Sequence, residues 1–177
     1  MNKICFLAVI TALIFTTFKV SAQDGEDKSK RPSAPAKVSE KIKSGAIISI
    51  DYSQPSVKGR TIGKDLEPMD GKVWRTGANE ATVFETDKAV KINGQALPAG
   101  KYGLFSIAGE KGEWTMIFNK TWKQWGAFKY NPAEDQLRVK VKSAQSKTLT
   151  EKMTFNIDES GSVSLLWGKE VVRFQVD

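Results

Sequence analysis

The stretch LRVKVK, from Leu137 to Lys142, decides the fold class, because apolar and charged residues alternate along it without a break. Successive side chains of an extended strand point to opposite faces, so this period of two buries one face and leaves the other in water. Seven further stretches repeat the alternation: Ile48/Ile50/Tyr52, Val90/Ile92, Tyr102/Leu104, Trp114/Met116/Phe118, Met153/Phe155/Ile157, Val163/Leu165/Trp167 and Val172/Phe174/Val176. A ninth candidate strand, around Ala81 to Glu85, is rich in β-branched and aromatic residues but less regular.

Turn-forming residues separate these stretches. Asn93-Gly94 favours a tight hairpin, and similar breaks lie at 98–100, 109–112, 158–161 and 168–170. Short strands joined by short turns are typical of antiparallel sandwiches and barrels. We therefore predict an all-β fold, an antiparallel, jelly-roll-like β-sandwich of about eight or nine strands, with little helix beyond a single turn near Pro132.

The composition excludes several kinds of catalytic site. The chain has 177 residues, a formal net charge of +7 and no histidine, and its single cysteine is Cys5. These counts exclude Ser-His-Asp and Cys-His catalysis, the usual zinc sites, haem ligation through His or Cys, and intramolecular disulfides. No Asp-rich calcium loop or glycine-rich phosphate loop is present. We predict no metal and no cofactor.

The amino terminus has the features of an export signal. Lys3 precedes an apolar run from Ile4 to Phe18, and Val20-Ser21-Ala22 resembles a cleavage site. The run is shorter than the roughly 20 residues that span a bilayer as a helix. We predict a signal peptide over 1–22, a flexible leader over 23–39 and one β-domain over 40–177. The protein is then exported, to the periplasm or beyond, with no transmembrane segment in its mature form.

Two long segments lack strand alternation and are candidates for the functional loops. The first runs from Ser53 to Val73 and the second from Asn119 to Gln136. Unstructured stretches of this length are uncommon inside a compact domain and are often functional. The second carries Trp122 and Trp125, whose rings are suited to stacking on a sugar or a cation. The alternative is that one or both rings fold back over the core.

Four strings resemble the motifs of a family catalogued as domain of unknown function 2911. They are YSQPSVKGR at 52–60, VWRTGANEAT at 73–82, LPAGKYGLF at 97–105, and the pair NK at 119–120 with KQWGAFKY at 123–130. The resemblance covers about residues 46 to 176. It implies an exported bacterial protein with one β-rich domain, and it implies no particular activity.

Within VWRTGANEAT, small residues allow a close turn that would bring Arg75, Asn79 and Glu80 to one rim. Arginine suits carboxylate or phosphate ligands because its guanidinium is a planar fork of donors. The structural alternative is a buried pair between Arg75 and Glu80. Arginine is scarce, five residues against 22 lysines, so its placement at positions 60 and 75 suggests that geometry matters there.

These observations favour a non-catalytic envelope or extracellular domain that binds a polar ligand, with a glycan as the leading candidate. The expected binding residues are Arg60, Arg75, Asn79, Glu80, Lys120, Gln124, Trp125 and Tyr130. One alternative is a hydrolase that pairs Glu80 with Asp51, Glu85 or Asp135, since glycoside cleavage needs two carboxyl groups. The other is a structural or protein-interaction module. Nucleic-acid binding is disfavoured by the modest charge and the lack of a recognition motif, and the oligomeric state stays open.

Overall fold

The computed structural model describes residues 27–177, which form ten strands and three short 3-10 helices. The strands are β1 (Pro35–Lys41), β2 (Ile47–Ser53), β3 (Val73–Trp74), β4 (Val83–Thr86), β5 (Val90–Ile92), β6 (Gln95–Leu97), β7 (Gly100–Ala108), β8 (Glu113–Asn119), β9 (Asp135–Ile157) and β10 (Ser162–Gln175). The 3-10 helices span Lys28–Lys30, Glu110–Gly112 and Pro132–Glu134. The last of these is the helical turn expected near Pro132.

Eight strands form one large antiparallel sheet, in the order β1-β2-β4-β7-β8-β9-β10, with β3 pairing with β7. The remaining two, β5 and β6, form a separate hairpin. Its turn is Asn93-Gly94, and both residues have the positive φ that a tight hairpin requires. The prediction of an all-β antiparallel fold is confirmed. Successive strands of the large sheet are mostly neighbours, so the chain follows a meander and makes no Greek-key crossing.

The longest strand, β9, joins two stretches that the sequence shows as separate. Its first part pairs with β8 over residues 135–142, and its second part pairs with β10 up to residue 157. Within the second part, residues 143–150 lack apolar alternation, and those paired with β10 are 143–145 and Thr150. Gly168-Lys169-Glu170, expected to be a turn, instead lies within β10 beside two register shifts. Gly168 has a φ of 62°, and the extra residues at both shifts are on β9, because residues 145–154 lie opposite only 166–170 of β10.

The large sheet curls until the chain beyond β2 meets the far half of β9. Met153 N donates to Pro55 O at 3.0 Å and Val57 N donates to Glu151 O at 2.9 Å. Beside this seam, Phe155 N donates to the hydroxyl of Tyr52, and the two rings pack edge to face with centroids 5.0 Å apart. The seam closes the sheet around its core.

The main core fills the inside of the curl. Three tryptophans are buried there: Trp74, Trp114 and Trp167. A second, smaller core lies on the other face of β7 and β8, where Phe105 and Ile117 pack against Ala127 and Tyr130. Part of the long loop between β8 and β9 therefore covers the outside of the sheet.

The sheet begins inside the segment predicted to be a leader. Strand β1 starts at Pro35 and pairs with β2 along its whole length, from Pro35 opposite Ser53 to Lys41 opposite Ile47. Ala36 and Val38 are the partly buried positions that pack on the core. The folded domain therefore starts earlier than residue 40. The predicted signal peptide, 1–22, and the first leader residues lie outside the described part of the chain.

Candidate functional site

The turn between β3 and β4 is built from residues 75–82, in the string WRTGANEAT. Thr76 and Asn79 both have positive φ, so the backbone reverses twice within four residues. Trp74 Nε1 donates to Gly77 O, and Ala78 N donates to Ser53 O. A Cβ on Gly77 would lie 2.9 Å from Thr82 Oγ1, so only glycine fits here. The turn is fixed by backbone geometry and burial.

The two reversals send neighbouring side chains of this turn into different clefts. One cleft, about 270 Å³, contains Arg60, Glu67, Arg75, Asn79 and Ser33, and we call it the arginine cleft. The other, about 430 Å³, contains Glu80, Trp122, Lys123, Trp125 and Lys129, and we call it the aromatic groove. The residues predicted to share one rim are therefore divided at the bond between Asn79 and Glu80.

Arg75 projects its charge into the wall of the arginine cleft. Its Nε is buried and has no hydrogen-bond partner among residues 27–177. Burial lowers the pKa of the guanidinium, and the nearby charge of Glu67 acts in the opposite direction. The alternative of a buried pair between Arg75 and Glu80 is not what the structure shows, because the Glu80 carboxylate binds other cations.

The other polar groups of the arginine cleft are tied down by the backbone. Arg60 donates from Nε to Val57 O at 3.1 Å and from Nη2 to Ser56 O at 2.6 Å. Asn79 donates from Nδ2 to Ser33 O at 2.9 Å. Glu67 accepts a hydrogen bond from Met69 N through Oε2. The side chains of Trp74 and Trp167 lie against the same cleft, so its floor is rigid.

The aromatic groove is bounded by the long loop between β8 and β9. Trp125 is 53% exposed, and its backbone forms an isolated antiparallel bridge with Glu80. Gly126 N also donates to Asn79 O at 2.9 Å. Trp122 is half-buried, with the ammonium of Lys101 5.6 Å from its ring centroid. Neither ring is part of the main core, and the backbone of Trp125 is fixed.

The N-terminal strap, residues 27–33, crosses the molecule between the two clefts. Lys28 Nζ lies 2.8 Å from Glu80 Oε1, and Arg31 Nη1 lies 2.9 Å from Glu80 Oε2. The guanidinium of Arg31 also lies over the ring of Trp125, 5.5 Å from its centroid. Burial alone would raise the pKa of Glu80, but the hydrogen bonds from Lys28, from the Glu80 backbone and from Arg31 outweigh it and lower the pKa to about 2. Glu80 is therefore an ionised anchor for the strap.

The remaining predicted residues have mainly structural contacts. Gln124 lines the groove, but its amide is used within the loop, donating to Thr121 O and accepting from Lys129 N. The Tyr130 hydroxyl donates to Asp135 Oδ2 at 2.8 Å and accepts from Arg138 Nη2 at 2.7 Å. Burial and the neighbouring Asp135 carboxylate raise the pKa of Tyr130 to about 12.

Lys120 is exposed and lines neither cleft; its backbone N–H donates to Glu134 O.

Sequence reasoning missed three contributors: Ser33, Glu67 and the strap cations. No motif or alternation points to them, because each meets the site through contacts between residues far apart in the chain.

A larger cleft, of about 460 Å³, lies over β7, β8 and β9 between Ile107, Thr115 and Lys140. Its polar residues are side chains that alternate outward along regular strands, so it has no fixed constellation of donors.

Two further features bear on cofactors and membranes. Within residues 27–177, no three Asp, Glu, His or Cys side chains are grouped as metal ligands would be. In the same range, no helix is both long and apolar enough to cross a bilayer.

Comparison with known proteins places the chain in a family. No curated protein matches it, and no solved structure matches it. A family model described as "Protein of unknown function (DUF2911)" matches residues 33–176, which include the whole of every strand described above. The match covers both clefts and Ser33, but not the strap cations Lys28 and Arg31. The chain therefore belongs to the DUF2911 family.

Proposed function

We propose that the protein is a non-catalytic binding domain of the cell envelope or the extracellular space, and that it binds a glycan in the aromatic groove. Export rests on the apolar amino terminus and the cleavage-like Val20-Ser21-Ala22. The ligand class rests on the groove. Its walls combine two indole rings with lysine donors, which match the apolar faces and hydroxyl groups of sugar rings.

The observation that carries this proposal is the exposure of Trp125 on a fixed backbone. An indole that is 53% exposed presents apolar surface that a sugar ring can cover, and removing that surface from water would contribute to binding. The bridge to Glu80 and the hydrogen bond from Gly126 hold the loop in place before a ligand arrives. Such preorganisation lowers the entropic cost of binding.

The groove supports binding better than hydrolysis. Glycoside cleavage requires two carboxyl groups, one of them able to hold a proton near neutral pH. Glu80 is the one carboxylate among the groove residues in the described chain, and its pKa of about 2 keeps it ionised. Its three expected partners are occupied elsewhere: Asp51 by Lys37, Glu85 by Lys101, and Asp135 by Arg138.

Isothermal titration against a panel of soluble glycan oligosaccharides tests the proposal. Trp125→Ala should weaken binding about tenfold, because aromatic contacts contribute about 0.5–1.5 kcal/mol beyond buried area. Phe128→Ala is the matched control, since Phe128 is 86% exposed on the same loop but lines neither cleft. Saturable binding that Trp125→Ala weakens and Phe128→Ala leaves unchanged supports the proposal.

Two results contradict it. The first is that no oligosaccharide in the panel binds saturably. The second is an equal loss in both variants, which would indicate that the whole loop surface is used, as in a protein-interaction module.

A further inference from the structure

The arginine cleft has a charge and hydrogen-bond pattern that the aromatic groove does not share. Two guanidinium groups, of Arg60 and Arg75, face one carboxylate, that of Glu67, across a space of about 270 Å³. The excess of one positive charge lies beside Trp74 and Trp167, which line the same cleft and are buried. The cleft therefore has a net attraction for anions.

Arg75 is the central group of this cleft. A guanidinium removed from water is destabilising unless its N–H groups are paired. Arg75 Nε is buried without a partner among residues 27–177, and Glu67 interacts with the guanidinium through its charge rather than by an ion pair within 4.0 Å. The protein alone thus leaves one N–H of Arg75 without an acceptor, in a side chain that lines the cleft.

Arg60 and Asn79 supply further groups that are already in position. Arg60 uses Nε and Nη2 to bind backbone carbonyls of its own loop, which leaves Nη1 without an acceptor among the described residues. Asn79 uses Nδ2 to bind Ser33 O, which leaves Oδ1 able to accept. A ligand with an anionic end and a neighbouring hydroxyl would complement both residues.

We propose that the arginine cleft is an anion-binding site, separate from the aromatic groove, for a small hydroxylated ligand that carries a carboxylate or phosphate group. Arg75 and Arg60 bind the anionic group, and Asn79 accepts from a hydroxyl. Binding is non-covalent. The planar guanidinium fork suits both kinds of anion, because each presents two oxygens at matching spacing.

Titration of the purified protein with three probes tests this site: inorganic phosphate, D-gluconate and D-glucitol. D-glucitol is the neutral counterpart of D-gluconate, so the pair isolates the carboxylate. At a fixed ionic strength of about 0.1 M, we expect saturable binding of at least one anion with a Kd of about 1 mM, and none of D-glucitol. Tighter binding of phosphate would indicate a ligand with a phosphate group, and tighter binding of D-gluconate would indicate a ligand with a carboxylate.

Three variants locate the binding. Arg75→Lys keeps the charge but removes the fork, and we expect binding to weaken about tenfold. Arg60→Gln should weaken it at least about threefold and leave the fold intact, because Arg60 is exposed and bonds only to its own loop. Lys129→Gln removes one charge from the aromatic groove and is the matched control, with no expected change.

Two results would overturn the site: no saturable binding of either anion, or equal weakening by Lys129→Gln and Arg60→Gln, which would show only general attraction by the surface charge. We expect Arg60→Gln to keep the fold. Its binding result therefore still decides the proposal if Arg75→Lys fails to fold. Trp125→Ala should leave anion binding unchanged, so this site and the glycan groove can fail independently.

Discussion

Replacing Glu80 by glutamine should detach the N-terminal strap and destabilise the protein. The carboxylate accepts from Lys28 and Arg31 at 2.8 and 2.9 Å, and these contacts join the strap to the turn between β3 and β4. Glutamine has the same shape but no charge, so the variant removes both ion pairs and little packing.

The size of the effect follows from the pKa. Lowering the pKa of a carboxyl from 4.5 to about 2 corresponds to a stabilisation of its ionised form by about 3 kcal/mol before solvent screening is considered. Solvent screens this interaction, because the side chains of Glu80 and Lys28 are 37% and 54% exposed. Arg31 is only 12% exposed, so its contact with Glu80 is screened less than that of Lys28. We expect Glu80→Gln to lower the free energy of unfolding by about 1–2 kcal/mol.

The same reasoning fixes the pH dependence. The pKa of Glu80 is lower in the folded state than in the unfolded state, so its stabilisation is complete above about pH 4.5 and is lost as the pH falls towards about 2. The wild type and Glu80→Gln should therefore differ in stability at neutral pH and converge in acid.

Urea denaturation of both proteins between about pH 7 and pH 2 measures this difference. Glu110→Gln is the control, because Glu110 is exposed and forms no ion pair with another described residue. The reasoning would be refuted if the difference in the free energy of unfolding between the two proteins stayed constant down to about pH 2, or if Glu80→Gln were as stable as the wild type at neutral pH.

Two further predictions concern the scaffold. Gly161→Ala should lower the free energy of unfolding by about 3 kcal/mol or more, because its Cβ would lie 1.9 Å from Val176 O. Gly94 has a similar positive φ but open space around it, so Gly94→Ala should lose only about 1–2 kcal/mol in the same urea experiment. Equal losses in the two variants would show that the clash at Gly161 is relieved. Tyr130→Phe should lower the free energy of unfolding by about 1 kcal/mol, because the hydrogen bond to Asp135 is lost. It should also remove the tyrosine that titrates near pH 12 in an alkaline absorbance titration. A titration curve unchanged by the substitution would mean that the network with Asp135 does not form in solution.

Strands whose apolar and polar side chains alternate could be predicted from the sequence. Strand segments that are held only by backbone pairing could not. Every alternating stretch proposed from the sequence lies in a strand, except that Val176, the last position of the final stretch, forms an isolated bridge with Ile92 just beyond β10. The stretch 143–150 has no apolar alternation, yet it continues β9 because residues 143–145 and Thr150 pair with β10. Strand β1 was missed because Ala36 and Val38 are its only apolar inward positions in a segment otherwise typical of a linker.

The sequence suggested candidate binding residues, but not their division into two clefts. Six of the eight candidates line a cleft, whereas Lys120 and Tyr130 line neither. Whether Asn79 and Glu80 share a cleft depends on two positive φ angles, and Thr76 is a residue type that seldom adopts one. The contact between Arg31 and Glu80 joins residues 49 apart, a separation over which sequence patterns carry no pairing signal.

The seam that closes the sheet has a consequence for the order of folding. It joins residues about a hundred positions apart, since Tyr52 meets Phe155 across 103 residues and Gln54 meets Met153 across 99. Contacts of such high sequence separation carry a large loop-closure entropy and tend to form after local hairpins. Pro55 and Arg60 follow directly on this seam and form one wall of the arginine cleft. An incompletely folded chain therefore has its hairpins before it has a recognition site, and ligand affinity reports on the final stage of maturation.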